Sequence, residues 1–135
     1  MKIFNKVKEV SFALLQEHPA DHRCRHFSFI LDGSKILKIG FNRSKTHPRN
    51  LLYNYCNRKG ESMSTEIGIH SEMDAVIKFG ESDCTGLTMI NTRVNRNNQL
   101  DLSKPCAGCM DMLKRLHFKS VYYIDQQKIF RNISF

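Results

Sequence analysis

Two short motifs place an imidazole, a carboxylate and two thiols at spacings that suit a metal ion. Residues 70–72 are His, Ser and Glu, and residues 105–109 are Pro, Cys, Ala, Gly and Cys. Cys106 and Cys109 are three residues apart, which brings side chains to the same side of a helix. One imidazole and two thiolates provide the three protein ligands of a catalytic zinc ion, which keeps its fourth position for water. The motifs therefore predict a Zn²⁺ site formed by His70, Cys106 and Cys109.

Glu72 is predicted to act beside the metal rather than to bind it. It lies two residues after His70, so on the first turn of a helix its carboxylate points away from the ligand position. Zinc lowers the pKa of a bound water toward about 7, and a nearby carboxylate can take that proton and pass it on. The sequence thus predicts Glu72 as the proton shuttle of a hydrolytic reaction.

The surroundings of the second motif favour thiolates. Pro105 suits the start of a helix, where its missing N–H costs little. The free N–H groups and positive dipole end of that helix are expected to lower the pKa of both cysteines. A lone pair of cysteines also fits a redox motif or half of a structural zinc knuckle. No second pair, and no histidine pair at finger spacing, follows Cys109, so the combination with residues 70–72 favours the catalytic site.

The apolar pattern predicts three helices and five strands that would position these motifs. The helices span 2–17, 70–79 and 106–116, and the strands span 26–31, 35–41, 87–94, 121–124 and 128–133. Strand–helix–strand units need right-handed crossovers, which place helices on both faces of one sheet. Only residues 125–127 separate the last two strands, so these should be antiparallel. The expected fold is α/β, a three-layer arrangement with a mixed five-stranded sheet, in a single domain over residues 1–135.

This order of elements, with H-x-E before the third strand and P-C-x-x-C after it, resembles the zinc-dependent cytidine deaminase superfamily. The resemblance extends over nearly the whole chain, but its specific residues are few. It implies that His70, Cys106 and Cys109 bind zinc and that Glu72 moves protons. It also implies a hydrolytic deaminase, which removes the amino group of a nucleobase.

A further match lies at the end of the second strand, where residues 40–42 are Gly, Phe and Asn. Superfamily members often carry a Gly-aromatic-Asn here, and the resemblance implies that Asn42 hydrogen-bonds the sugar or the base. The competing interpretation is a turn-forming Asn at a strand end. Ser71 stands where an Ala is more frequent, a small change that should not disturb the metal. The other residues expected around the substrate flank these motifs: Phe41, Ile69, Ser71, Pro105 and Ala107.

The antiparallel arrangement of the last two strands bears on the substrate. A tight link there resembles free cytidine deaminases, some deaminase toxins and plant RNA editors, whereas an inserted helix is typical of the deoxycytidylate, tRNA-adenosine and polynucleotide groups. This favours cytosine over adenine. Nucleoside enzymes, however, usually carry Cys where this chain has His70. The predicted reaction converts the cytosine of a free nucleoside or nucleotide (cytidine or deoxycytidine) to uracil, with release of ammonia.

The net charge of +8 favours partners that carry phosphate. Residues 43–58 interleave basic side chains with Tyr53 and Tyr55, a pattern that can hold a single-stranded nucleic acid or a nucleotide. Residues 93–98 form a second basic and polar stretch. Both stretches also fit solvated loops. The alternatives are therefore a polynucleotide cytosine deaminase, acting on single-stranded DNA or RNA, and a catalytically idle, zinc-stabilised nucleic-acid-binding module. The intact Glu72 argues against the idle module.

The remaining features indicate a cytoplasmic protein. The number of cysteines, five, is odd, and no secretory signal is recognisable, so a complete disulfide framework is not expected. Cys24, Cys56 and Cys84 are expected to be ordinary thiols. No apolar run reaches the roughly 20 residues that span a bilayer, so no membrane partner is expected. The resemblance implies self-association into a homo-oligomer.

Overall fold

The computed structural model describes residues 2–17, 25–43 and 69–135, which form three helices and five strands. The helices are α1 (Lys2–Ala13), α2 (Ser71–Phe79) and α3 (Ala107–Arg115). The strands are β1 (Arg25–Asp32), β2 (Lys35–Phe41), β3 (Thr88–Val94), β4 (Ser120–Ile124) and β5 (Phe130–Ser134). The predicted order of elements is confirmed, although the helix expected over residues 2–17 ends at Ala13 and a 3₁₀ turn (Leu15–Glu17) follows. In these ranges no helix combines the length and the apolar character that a bilayer crossing needs.

The strands form one sheet in the order β2-β1-β3-β4-β5. β3 and β4 are parallel, and the other neighbours are antiparallel. The mixed sheet and the antiparallel last pair are therefore confirmed. β5 begins two residues later than predicted, because the turn between β4 and β5 is longer. Within this turn Lys128 has a positive φ of 64°. The Asp125 carboxylate accepts the backbone N–H of Ile129 at 3.0 Å.

Helices cover both faces of the sheet, as predicted. Successive side chains of a strand point to opposite faces, and β1 divides accordingly. Phe27 and Phe29 are buried with Val7 of α1, whereas Ile30 is buried with residues of α2 and α3 such as Met73. Two apolar cores result, and the described metal-binding motifs belong to the face that α2 and α3 cover.

Gly40 allows α2 to approach the sheet closely. It pairs with Ser28 of the neighbouring strand and lies directly under the helix. A Cβ built on Gly40 would stand 2.7 Å from the Ala75 Cα, and closer still to the Ala75 nitrogen and the Ser71 oxygen. Since these are backbone atoms, no side-chain rotation can make room. The position of α2, and with it that of residues 70–72, depends on glycine at this point.

We expect Gly40→Ala to destabilise the protein by about 3 kcal/mol or more, at or above the usual range for overpacking, because the helix backbone must move. Gly86→Ala is the matched control: Gly86 has a φ of +80° but nothing within 4 Å of an added Cβ. That change should cost only about 1–2 kcal/mol of backbone strain. Denaturant unfolding of both variants measures the difference. Equal losses would show that the close approach of α2 is unimportant.

An ionic anchor joins α2 to the end of β2. The buried Asp74 carboxylate accepts the backbone N–H of Phe41 at 2.8 Å and forms ion pairs with Arg43 Nε at 2.8 Å and Lys78 Nζ at 2.9 Å. Arg43 and Ile69 add two backbone hydrogen bonds of 2.9 Å, which form an isolated antiparallel bridge. These contacts fix the chain immediately before His70.

Candidate metal centre

The two helix N-termini bring the predicted ligands together. His70 is the residue before α2, and Cys106 is the residue before α3, so both lie at the N-terminal caps of their helices. The Cys106 Sγ accepts the backbone N–H of Cys109 at 3.4 Å, which closes the first turn of α3. Gly80 ends α2 in a left-handed conformation, as its place in the sequence predicts. The ligands thus sit at well-defined helix starts.

The three donor atoms have the spacing of a tetrahedral zinc site. His70 Nδ1 lies 3.5 Å from Cys106 Sγ and 3.4 Å from Cys109 Sγ. Bond lengths of about 2.3 Å to sulfur and about 2.0–2.1 Å to nitrogen place such atoms about 3.6 Å apart around a tetrahedral ion. All three atoms lie within 4.8 Å of one another, and no other such group of His, Cys, Asp or Glu occurs in the described ranges. The donor set therefore fits a metal ion of the zinc type.

The two thiols differ in their electrostatics. Hydrogen bonding from Cys109, helped by His70, lowers the pKa of Cys106 to about 4 against the opposing effect of burial. Burial raises the pKa of Cys109 well above its usual value. The expectation that the helix N-terminus lowers both pKa values is wrong for Cys109, because desolvation outweighs the helix dipole there. A divalent cation between the sulfurs would favour both thiolates.

Glu72 lies beside this group and outside the ligand set. Its side chain is buried, with 6% of the residue exposed. One carboxylate oxygen, Oε1, is 3.1 Å from Ser71 Oγ, and the other, Oε2, accepts a hydrogen bond of 3.1 Å from Asn91 Nδ2. Burial raises the pKa of Glu72, while the nearby His70 opposes that effect. A raised pKa is the direction that a carboxyl group needs to exchange protons near neutral pH.

Two residues that the sequence analysis missed complete a hydrogen-bonded ring around Glu72. Ser28 Oγ lies 2.7 Å from Ser71 Oγ and donates to Asn91 Oδ1 at 2.8 Å. These contacts form a closed ring of four buried residues, here called the Glu72 ring: Ser28, Ser71, Glu72 and Asn91. The signal in the sequence was a polar residue among buried positions of a strand, Ser28 between Phe27 and Phe29 and Asn91 after Met89 and Ile90. Such a residue needs a buried partner.

The Glu72 ring has fewer hydroxyl protons than oxygen–oxygen contacts, so a proton carried by Glu72 would complete its hydrogen bonds. Ser28 and Ser71 bring two hydroxyl protons to three oxygen–oxygen contacts, one of which reaches Glu72 Oε1. All three contacts can be hydrogen bonds at once only when Glu72 supplies a proton itself. The surroundings can thus accommodate Glu72 in its protonated form as well as its ionised form.

Asn42 and Phe41 lie at the end of β2. The Asn42 Oδ1 accepts the backbone N–H of His26 at 2.9 Å. The Phe41 ring packs against the core under α1, edge-on to Phe27 at 5.5 Å between centroids, and Lys78 Nζ of α2 lies 4.5 Å from its centroid. Substrate contacts by Asn42 and Phe41 stay predictions.

The other flanking residues differ in exposure. Ile69 is buried in the core between the sheet and the helices, and Pro105 is also buried, whereas Ala107 is exposed at the start of α3. Ser71 points into the Glu72 ring. These positions surround the candidate centre, and their contact with a substrate stays a prediction.

Most of the stretch over residues 43–58, in which basic side chains alternate with Tyr53 and Tyr55, lies outside the described residues. Arg43, at the start of that segment, is paired with Asp74. In the second basic stretch, Arg93 Nη1 donates to the Leu102 carbonyl at 3.4 Å, which ties β3 to the loop that leads to Pro105.

The five-stranded mixed sheet between α1 and the pair α2 and α3, with a His/Cys/Cys group at two helix starts, is the cytidine/deoxycytidylate deaminase-like fold. The expected fold class is therefore confirmed. The dCMP deaminase of the cyanophage S-TIM5, solved in complex with dCMP and dUMP, matches with a TM-score of 0.55 and 17% identity over 89% of this chain and 79% of that chain. Its apo form matches with a TM-score of 0.53 and 16% identity over 90% and 84%. No protein-family model and no curated protein matches this sequence significantly.

Proposed function

We propose that this protein is a zinc-dependent hydrolytic deaminase that converts the cytosine of a free nucleoside or nucleotide to uracil. One observation carries the proposal: three metal-donor atoms at tetrahedral spacing lie next to a buried carboxylate that is not a ligand. A structural zinc site uses four protein ligands and needs no carboxylate beside it, whereas a catalytic site keeps one position open. This arrangement favours hydrolysis over a purely structural role.

The residues of the centre have different roles in this reaction. His70, Cys106 and Cys109 hold the ion, which when bound supplies an activated water near neutral pH. Glu72 takes up one proton of the attacking water at its carboxylate and delivers it to the ring nitrogen of the base. It then takes the second proton of that water, from the new hydroxyl group on the ring carbon, and passes it to the amino group, which leaves as ammonia. Overall, one water is consumed and the carbon–amine bond is replaced by the carbonyl of uracil.

Two observations support a free cytosine nucleotide or nucleoside as the substrate. The S-TIM5 enzyme that shares the fold was solved with dCMP and dUMP. The resemblance gives the direct β4–β5 turn to free cytidine deaminases, and also to some deaminase toxins and plant RNA editors, so the turn favours cytosine over adenine. The net charge of +8 suits a phosphate-bearing substrate, and it also keeps the polynucleotide alternative open. The idle binding module is disfavoured, because Glu72 is buried and held by hydrogen bonds.

A substrate panel tests the proposal. Zinc-loaded protein is incubated with cytidine, deoxycytidine, CMP, dCMP and a single-stranded oligonucleotide that contains cytosine, and uracil formation is measured by chromatography. We expect turnover of at least one free nucleoside or nucleotide. Glu72→Ala protein purified in parallel controls for contaminating deaminases. Activity confined to the oligonucleotide, and lost steeply with added salt, would establish the polynucleotide alternative instead.

A cytoplasmic location and a homo-oligomeric state belong to the same proposal. Cys84, Cys106 and Cys109 are free thiols, the state that a reducing compartment maintains and that two metal ligands require. Self-association rests on the resemblance to the superfamily. Sedimentation of the zinc-loaded protein measures it directly.

A further inference from the structure

We propose that Asn91 and Ser28 are positioning residues that hold the Glu72 carboxylate in its working orientation, an inference that rests on the proposed function. Glu72 is the second residue of α2, and its side chain has three rotatable bonds. Its partner Ser71 belongs to the same helix and moves with it. Asn91, by contrast, lies on β3, and among the described residues it provides the hydrogen bond from the sheet to Glu72. Asn91 therefore fixes the carboxylate relative to the sheet.

The location of Asn91 makes it a rigid support. β3 is paired on both sides, with β1 and with β4, so its backbone is held by two ladders of hydrogen bonds. Asn91 is 3% exposed, which leaves little room for water to replace its contact with Glu72. In such surroundings a hydrogen bond is stronger than in water, and its loss leaves a buried polar group unpaired.

Ser28 holds the other end of the Asn91 amide. An amide has a donor end and an acceptor end, and only the donor end can hydrogen-bond the ionised Glu72 carboxylate. Ser28 lies directly opposite Asn91 in the β1–β3 register and donates to its Oδ1 at 2.8 Å. The amide is therefore held at both ends while its Nδ2 donates to Glu72. The 2.7 Å contact between Ser28 and Ser71 then closes the ring from the helix side.

A polar pair on the opposite face shows what a purely structural hydrogen bond looks like in this fold. Thr92, the next residue of β3, faces α1, and its Oγ1 lies 2.6 Å from Ser11 Oγ. Both residues are buried, and their contact joins a helix to the sheet as the Glu72 ring does. No ionisable side chain takes part in it. Thr92→Val is therefore the matched control for a loss of buried hydrogen bonding in the same strand.

The test compares Asn91→Leu, Ser28→Ala and Thr92→Val as zinc-loaded proteins. We expect Asn91→Leu and Ser28→Ala to keep their zinc and to lower kcat about 10- to 100-fold, the usual effect of losing a supporting hydrogen bond at a metal site. The KM should stay close to that of the unaltered protein. Thr92→Val should lose thermal stability and keep its kcat. Adding Ser28→Ala to Asn91→Leu should lower kcat little further, because Ser28 acts through Asn91.

Two results would overturn the inference, and the second of them does not depend on the proposed substrate. If kcat falls no further in Asn91→Leu and Ser28→Ala than in Thr92→Val, the Glu72 ring has only a structural role. Crystal structures of zinc-loaded Ser28→Ala and Asn91→Leu should show the Glu72 carboxylate rotated or displaced, and an unmoved carboxylate in both would contradict the inference even if no cytosine substrate were turned over. Ser28→Ala is the milder change and serves if Asn91→Leu does not fold. If the proposed function itself is wrong, the unaltered protein will form no uracil, which is a separate result.

Discussion

Glu72→Ala is expected to abolish cytosine deamination while the protein keeps its zinc. The carboxylate lies outside the ligand set, so its removal leaves the three donor atoms in place. It removes the one buried group beside them that can exchange protons, and general acid–base catalysis contributes about 10²- to 10⁴-fold to rate. Steady-state kinetics on the best substrate of the panel measures the loss, and elemental analysis measures the zinc.

Two further variants, Glu72→Gln and Glu81→Ala, serve as controls for this experiment. Glutamine keeps the size of the side chain and can still bond Ser71 and Asn91, so inactivity in this variant isolates proton transfer from shape. Glu81 is an exposed glutamate just beyond α2, and its replacement should leave activity unchanged. Loss of zinc from Glu72→Ala would mean that Glu72 is a ligand, and full activity in Glu72→Gln would exclude it as the proton shuttle.

Cys109→Ser is expected to lose the metal and a large part of the stability. Cys109 is fully buried on the first turn of α3, and a serine hydroxyl stays protonated and is a poor zinc ligand. An ion that binds only the folded state stabilises it by about 2.7 kcal/mol when present at 100 times its Kd. The zinc content should fall from about one ion per chain, the ratio of a single three-ligand site. The unfolding temperature should fall with it.

Cys84→Ser provides the matched control for that loss. Cys84 is also a fully buried free thiol, but it belongs to no metal-binding group. Its replacement should lower stability and leave the zinc content unchanged. A chelator should lower the unfolding temperature of the unaltered protein and have no effect on Cys109→Ser. Zinc retained by Cys109→Ser, or lost by Cys84→Ser, would contradict the assigned ligand set.

The proposed metal ligands could be identified in the sequence because their geometry is local. Cys106 and Cys109 meet within one helical turn, and His70 and Glu72 are set by the start of another helix. The order of elements followed from apolar periodicity in the same way. Spacing along the chain therefore carries most of the information about these four residues.

The Glu72 ring could not be predicted, because sheet register assembles it. Ser28 and Asn91 are 63 residues apart in the sequence, and Ser28 and Ser71 are 43 residues apart. Which residues of two strands stand opposite each other depends on the pairing of the whole sheet. Register also determines the surroundings of Phe41. Gly40 lies under α2, and the next residue, Phe41, packs against the core under α1.

The Glu72 ring and the ligands beside it also have a consequence for folding. Their side chains come from β1, α2, β3 and α3, between Ser28 and Cys109, so no short segment contains the complete centre. Contacts between such distant segments form late, after the entropy of closing long loops has been overcome. The metal binding and proton transfer proposed for this centre therefore depend on the assembled sheet, and a proteolytic fragment without β1 or β3 lacks the complete Glu72 ring.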